Sequence, residues 1–372
     1  MIIGIPKEQK PGEQRVALTP DVVHDLVRQG HRVLLESSAG MGSSIEDADF
    51  VSAGAKVVDT EGAWTAELVV KVKEPQPDEF VHLRPGLSLM TFLHLAANPA
   101  LAERLVASET VAFANELIGS PNGGFPVLIP MSEVAGRLAT QVGAHFLQRL
   151  NGGRGVLLSG VPGVEPAKVV VIGAGTVGSN AALIAHGLGA EVVLVDRSTE
   201  RLRYVDALQR GTVTTITSSS GVLERILPTA DLIVGAVLVP GGKAPVVVST
   251  SMVQSMKPGS VIVDVAVDQG GCVETTIETT HMQPVVERFG VIHYGVANIP
   301  AAVPRTSTFA LANALLPYVP AVATLGVKRS VSSNANLRSA LVVAGGRVTC
   351  EPVAAALGRR AVHPEAALEK ST

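Results

Sequence analysis

At 372 residues, with 47% apolar and 17% charged side chains, the chain is too long for one ordinary domain and too apolar to be disordered. A net charge of −3, from 30 basic and 33 acidic residues, excludes nucleic acid or an anionic membrane as the expected partner, and 3% aromatics leaves little for base stacking. Cys272 and Cys350 make neither a disulfide framework nor a metal motif.

Residues 1–6 read as a strand, with no basic and long apolar leader before it, so no signal peptide is expected. No uncharged run reaches membrane-spanning length, which makes a cytoplasmic location the default. A polar loop leads to Arg15. A helix over 20–29 opens on Thr19-Pro20 and stops at Gly30. Strands follow at 32–36 and 56–58, with a short helix at 45–54 between them. The strand at 67–72 runs into Lys73, and that at 87–92 into His94. A helix at 99–108 and a strand at 110–114 complete a repeated βαβ alternation, which predicts a doubly wound sheet.

A Pro/Gly-rich break over 120–130 precedes a long helix at 131–149 that begins beside Ser132. A second alternation starts at 167. Its helices are expected at 179–188, 199–208, 222–227 and 249–256. Its strands are expected at 168–172, 191–195, 213–217, 231–237, 260–265 and 291–294. A helix over 306–318 can cross back to the first domain, another is expected over 334–345, and a short strand over 347–350. The reading is two Rossmann-type α/β domains. A nucleotide domain, 130–305, is inserted into a discontinuous one, 1–129 with 306–372.

The second alternation carries the most specific motif. Lys168-Val-Val-Val-Ile-Gly-Ala-Gly-Thr-Val-Gly178 is a strand running into a glycine turn and a helix. Gly173 suits the tight turn, Gly175 a close approach of pyrophosphate, and Gly178 close packing of helix on strand. Thr176 and Val177 open the helix whose free N–H groups face the phosphates. Asp196 ends the next strand, where a carboxylate accepts both ribose hydroxyls and repels a 2′-phosphate, so NAD(H) is favoured over NADP(H). Val237 and Leu238, ending the fourth strand of this half, are placed on the same cofactor. A lone GxGxxG marks many ordinary turns; here strand, helix, second strand and acid are all in order.

Arg15, Lys73, His94, Ser132, Asp268 and Asn298 fall just past apolar strands or at the start of a following helix, where binding crevices form. Each has a plainer reading. Arg15 can tie down a loop, Lys73 can solvate a strand end, and His94 can be a buried ring bonded to backbone. Asp268 can bond nearby N–H groups, and Asn298 can shape a turn. Together, beside a dinucleotide site, they form an amino- or hydroxy-acid pocket. No metal-ligand spacing, HExxH, P-loop lysine or GxSxG is present.

Several stretches resemble the L-alanine dehydrogenase family, which shares its fold with the nicotinamide nucleotide transhydrogenase α-subunit. They include Gly4-Ile-Pro-Lys-Glu8, Glu13-Gln-Arg-Val-Ala-Leu-Thr-Pro20, Val70-Lys-Val-Lys-Glu-Pro75 and Thr91-Phe-Leu-His-Leu-Ala-Ala97. Pro130-Met-Ser-Glu-Val-Ala-Gly136, the fingerprint, Val265-Ala-Val-Asp-Gln-Gly-Gly271 and Val296-Ala-Asn-Ile-Pro300 complete the set, and the resemblance runs over nearly the whole chain, residues 1 to 365. The resemblance implies interconversion of L-alanine with pyruvate and ammonia, using NAD(H), in a homohexamer. It implies His94 and Asp268 as catalytic residues, and Arg15 and Lys73 on the substrate carboxylate. It places Ser132, Asp196, Arg201, Ser218, Asp268, Asn298 and Ile299 on the nucleotide. Two positions depart from the family: Ile299 where methionine is frequent, and Asn115 where tyrosine is common. A reductase for a small 2-oxo acid such as glyoxylate, or a transhydrogenase-type dinucleotide-binding protein, is the alternative. The joint presence of Arg15, Lys73, His94 and Asp268 favours the dehydrogenase.

Overall fold

The computed structural model describes residues 1–120, 123–237 and 244–369. The first strands in chain order are β1 (Ile2–Ile5), β2 (Arg32–Glu36), β3 (Lys56–Val58), β4 (Leu68–Val70), β5 (Ser88–Thr91) and β6 (Val111–Ala114). Then come β7 (Lys168–Ile172), β8 (Glu191–Asp196), β9 (Thr214–Thr217), β10 (Leu232–Gly235), β11 (Val261–Asp264), β12 (Val285–Arg288) and β13 (Val291–Tyr294). The last two are β14 (Leu341–Ala344) and β15 (Arg347–Val348).

They form two sheets, in two compact units. One unit is Met1–Met131 with the chain from Val303 onward, and the other is Ser132–Ala302. The first sheet has the order β15-β14-β6-β5-β4-β1-β2-β3, with β1 to β6 parallel and β14 and β15 antiparallel. The second has the order β12-β13-β11-β10-β7-β8-β9, parallel except for β12. Both are doubly wound. The strand order reverses between β1 and β4 in one and between β7 and β10 in the other, and ligands bind outside the strand ends at such points.

Both faces of each sheet are covered, which is why the strands read as unbroken apolar runs. Val169 and Val171 of β7 pack into one core and Val170 and Ile172 into the opposite one. Leu68 and Val70 of β4 likewise face one side and Val69 the other.

The expected helix over 334–345 is half right. Asn334 caps a helix Ala335–Ala340 by accepting from the N–H groups of Asn336 and Leu337, but Leu341–Ala344 is a strand. Its Leu-Val-Val core is buried on both faces and pairs antiparallel with β6 and, across the Gly345-Gly346 turn, with β15. Strand β12 and the helices Thr60–Trp64 and Val319–Ser333 were not expected from the sequence. Among the described residues no single helix is long and apolar enough to cross a membrane. Pro304–Leu315 and Val319–Ser333 pass that test only as a bent pair, and both contribute buried side chains to the first unit's core.

Candidate active site

In the first unit, β1, β4, β5 and β6 are parallel neighbours, so their carboxyl ends lie side by side. Just beyond them stand Glu8, Lys73, His94 and Glu116. Arg15 follows in the loop after β1. It is buried, and Glu13 grips it through Nε (2.7 Å) and Nη2 (2.5 Å), while Nη1 points to Met131 Sδ at 3.1 Å. The guanidinium plane is thereby fixed. Lys73 is partly buried, and the bond it makes among the described residues is through its backbone N–H, to Glu8 Oε2 (3.3 Å). Burial, and then the charges of Arg15 and Lys10, hold its ammonium below the usual lysine range. The Arg15 charge thus acts on Lys73 although Glu13 already pairs with Arg15, and a further anion beside the two cations would be favoured.

His94 is not a core histidine. Its side chain is 51% exposed and stacks on Phe92, with ring centroids 6.2 Å apart. Its backbone is left-handed, with φ +47°. The Glu116 carboxylate holds it there by accepting from the N–H of His94 (2.6 Å) and of Leu93 (3.1 Å). A non-glycine residue in this region costs of order 1 kcal/mol or more and persists only when its surroundings enforce it, which is commonest at functional sites. Asn115, next to Glu116, is fully buried, and neither of its amide atoms has a partner among the described residues.

In the second unit, the turn after β7 is shaped as a phosphate loop. Gly173 has φ +107°, and a Cβ at Gly178 would lie 1.7 Å from Gly173 O, so the fold itself requires both glycines. Gly175 is different. Its backbone is ordinary extended chain, with φ −76°, and a Cβ there would meet nothing nearer than Arg201 Nη1 at 3.9 Å. Protein packing does not explain that glycine, whereas a ligand's close approach does. Thr176 and Val177 begin the helix Thr176–Gly187, and Ala236–Val237 lies over Gly173. Ser132 lies on the helix Ile129–Phe146, which packs against Thr176–Gly187 through Thr140 Oγ1 to Ala181 O (2.9 Å).

Asp196 ends β8. Its Oδ2 accepts the Ala174 N–H of the glycine turn (2.6 Å) and its Oδ1 that of Ser198 (2.7 Å). A carboxylate has about four acceptor sites, so it can be fixed this way and still take ribose hydroxyls. The Ser218 N–H pairs with Asp196 O (2.9 Å), which sets that serine beside the acid. Asp268 is exposed, in the short turn Val267–Gln269 beyond β11, whose Val267 is buried. Asn298 is left-handed, with φ +59°, and Ile299 is buried in the core at 3% exposure. Leu238 and the Pro240–Lys243 loop lie outside the described residues. The glycine cradle and Asp196 fit a dinucleotide.

Family models for the N-terminal and C-terminal domains of alanine dehydrogenase/PNT match residues 4–135 and 139–351. This chain belongs to the alanine dehydrogenase/PNT family. The alanine dehydrogenase of Bacillus subtilis (strain 168) is 51% identical over 371 residues, covering 99% of this chain and 98% of the relative. That of Mycobacterium tuberculosis (strain CDC 1551 / Oshkosh) is 51% identical over 370 residues, covering 99% and 100%. A solved L-alanine dehydrogenase structure aligns with TM-score 0.94 at 49% identity over 96% of this chain and 99% of its own. The transhydrogenase of Sinorhizobium meliloti aligns with TM-score 0.81 at 27% identity, over 94% and 99%.

For this member of the alanine dehydrogenase/PNT family, sequence reasoning passed over Glu8, Glu13 and Glu116. Each is an ordinary loop acid by composition. The signal that could have found Glu13 is its spacing of two from Arg15. Cofactor choice supplies one prediction. Replacing Asp196 by serine raises the NADP-to-NAD ratio of kcat/KM by about tenfold or more, as like-charge repulsion of the 2′-phosphate is removed. A parent enzyme that already uses the two cofactors equally well contradicts this placement of the carboxylate.

Proposed function

We propose that the chain catalyses the NAD-dependent oxidative deamination of L-alanine to pyruvate and ammonia, and the reverse amination. The observation that carries this is the Arg15–Lys73 pair of cations at the strand ends of the first unit, beside a histidine held on strained backbone. Family membership narrows the substrate. NAD would be held by the second unit's glycine turn and Asp196, and would supply the hydride acceptor that the reaction needs.

The chain's own residues do the rest. Arg15, oriented by Glu13 through Nε and Nη2, is assigned to the substrate carboxylate by its fixed positive charge. Lys73 adds a point charge to the same carboxylate or to the forming carbonyl oxygen. The amine must be neutral before hydride leaves, water must add to the iminium, and the carbinolamine must lose ammonia. Imidazole is the side chain suited by its ordinary range to take and return those protons, so His94 is assigned the main acid–base role. Asp268 orients water and amine or carries the second transfer. Ser132, Thr176, Val177, Arg201, Ser218, Val237 and Asn298 are assigned to the nucleotide. A homohexamer in the cytoplasm completes the reading.

NADH formation from L-alanine, and NADH oxidation by pyruvate that depends on ammonia, test it. Oxidation by pyruvate or glyoxylate at full rate without ammonia points to a 2-oxo-acid reductase instead. The lowered range of Lys73 adds a pH signature. Carboxylate binding is strongest where the ammonium is charged and weakens as pH rises through that lowered range, so KM for pyruvate climbs on the alkaline side. Lys73→Arg removes the climb, because guanidinium keeps its charge. A KM that is flat with pH in the parent, or an identical climb in the variant, counts against Lys73 as a carboxylate ligand.

A further inference from the structure

Asp264 is the last residue of β11 and is fully buried. A carboxylate there is tolerated only if its oxygens are satisfied. Among the described residues four donors meet it. Oδ1 accepts from the Ala266 N–H (3.1 Å) and from the Cys272 thiol (3.4 Å). Oδ2 accepts from the N–H groups of Cys272 (2.9 Å) and Val273 (3.0 Å).

These donors come from the two feet of one loop. Ala266 is at its start, and Cys272 and Val273 are at its end. Asp268 stands at its tip. Within the loop, the Gln269 and Gly271 N–H groups both return to Ala266 O, at 2.9 and 3.0 Å, and the Gly270 N–H returns to Val267 O at 3.0 Å. These three bonds of the tip end on Ala266, one of Asp264's own anchor points, or on Val267 next to it, and the Ala244 N–H holds the tip from outside through Gln269 O at 2.8 Å. We infer that Asp264 is a positioning residue for Asp268: it clips the feet of the 265–273 loop together and so fixes where the Asp268 carboxylate is presented. This rests on the assignment of Asp268 to the chemistry.

The chemistry of the clip requires a carboxylate. All four neighbours donate, and an acceptor-only group suits them. An amide of the same shape would turn an NH2 towards at least one row of donors, losing bonds and adding repulsion. Burial pushes the Asp264 carboxyl above its usual range, while the bonds from Val273, Cys272 and Ala266 draw it back.

The test is a double-substitution cycle with kcat for alanine oxidation as the readout, beside NADH affinity. Asp264→Asn lowers kcat about tenfold or more, since a displacement near 1 Å at a reacting group can cost up to about 10²-fold, and changes NADH affinity by less than about threefold. In an Asp268→Asn background the same change has almost no further effect, because the residue through which it acts is already disabled. A kcat within about twofold of the parent overturns the inference, as does a full multiplicative loss in the double variant. Asp268→Asn retaining its rate removes the assignment of Asp268, and the inference with it. Cys272→Ala deletes only the thiol donor and serves if Asp264→Asn does not fold. Its fall of about threefold must likewise vanish in the Asp268→Asn background; no fall, or an undiminished one, overturns the inference.

Discussion

Replacing His94 by alanine lowers turnover by roughly 10²–10⁴-fold in both the deaminating and aminating directions, while the protein still folds and binds NADH. The structure sharpens this expectation. A half-exposed ring stacked on Phe92 leaves no large cavity when removed, so the loss is not one of core packing. The left-handed backbone at φ +47° introduces a second effect, since alanine is less at home there than histidine. His94→Asn separates the two, because asparagine tolerates that conformation but cannot relay a proton near neutrality. Both variants should be equally slow. Steady-state rates in each direction, NADH titration and thermal melting check it. A folded variant that keeps more than about a tenth of the parent rate returns the acid–base role to Asp268 or Lys73.

Lys71→Met destabilises the first unit by about 3–5 kcal/mol, the usual consequence of removing one partner from a buried ionic group. Lys71 is completely buried. Its Nζ lies 2.5 Å from Glu79 Oε1 and 3.5 Å from Glu8 Oε2, and 5.7 Å from the Trp64 ring centroid. Burial already pushes the Glu8 carboxyl up to about 6, with Lys71 as the strongest opposing influence. An acid raised in the folded state binds more protons folded than unfolded, so its contribution to stability falls as pH rises from 4.5 through about 6. Without Lys71 that window extends upward. The variant's deficit should therefore be largest near neutrality and narrow on acidification towards pH 5. Melting curves of both proteins at several pH values measure it. A variant that melts with the parent near pH 7.5 contradicts the account. Because the Glu8 carboxylate also binds the N–H groups of Val72 and Lys73, alanine KM should rise alongside.

Much of the fold is legible in the sequence because parallel strands covered on both faces leave apolar runs such as Val169–Ile172, and because the glycine turn admits few alternatives. The strand ends carrying Lys73 and His94 are legible for the same reason. What local pattern cannot carry is a choice made by a distant partner. Leu341–Ala344 follows the helix Ala335–Ala340 with no breaking residue between them, and its pairing with β6 and β15 makes it a strand. The same limit hid the supporting acids. Glu116 acts on His94 from 22 residues away, and Glu8 on Val72 from 64. Lys71 and Lys73 look alike in sequence, yet one is sealed among carboxylates and the other stands beside Arg15.

The antiparallel pairing of β14 with β6 also sets an order on synthesis. As the chain leaves the ribosome, β1 to β6 can assemble with Val111–Ala114 as an open edge, and the strands of the inserted unit, β7 to β13, all emerge before the residues that cover it. The unit begun second is thus the first whose sheet can be completed. The nascent first sheet carries an unpaired, wholly buried-type edge for the time needed to make some two hundred further residues, roughly 10 to 40 seconds at about 5–20 residues per second. Such an edge invites pairing with another chain, so a truncation before Leu341 should convert this protein from one that folds to one that aggregates.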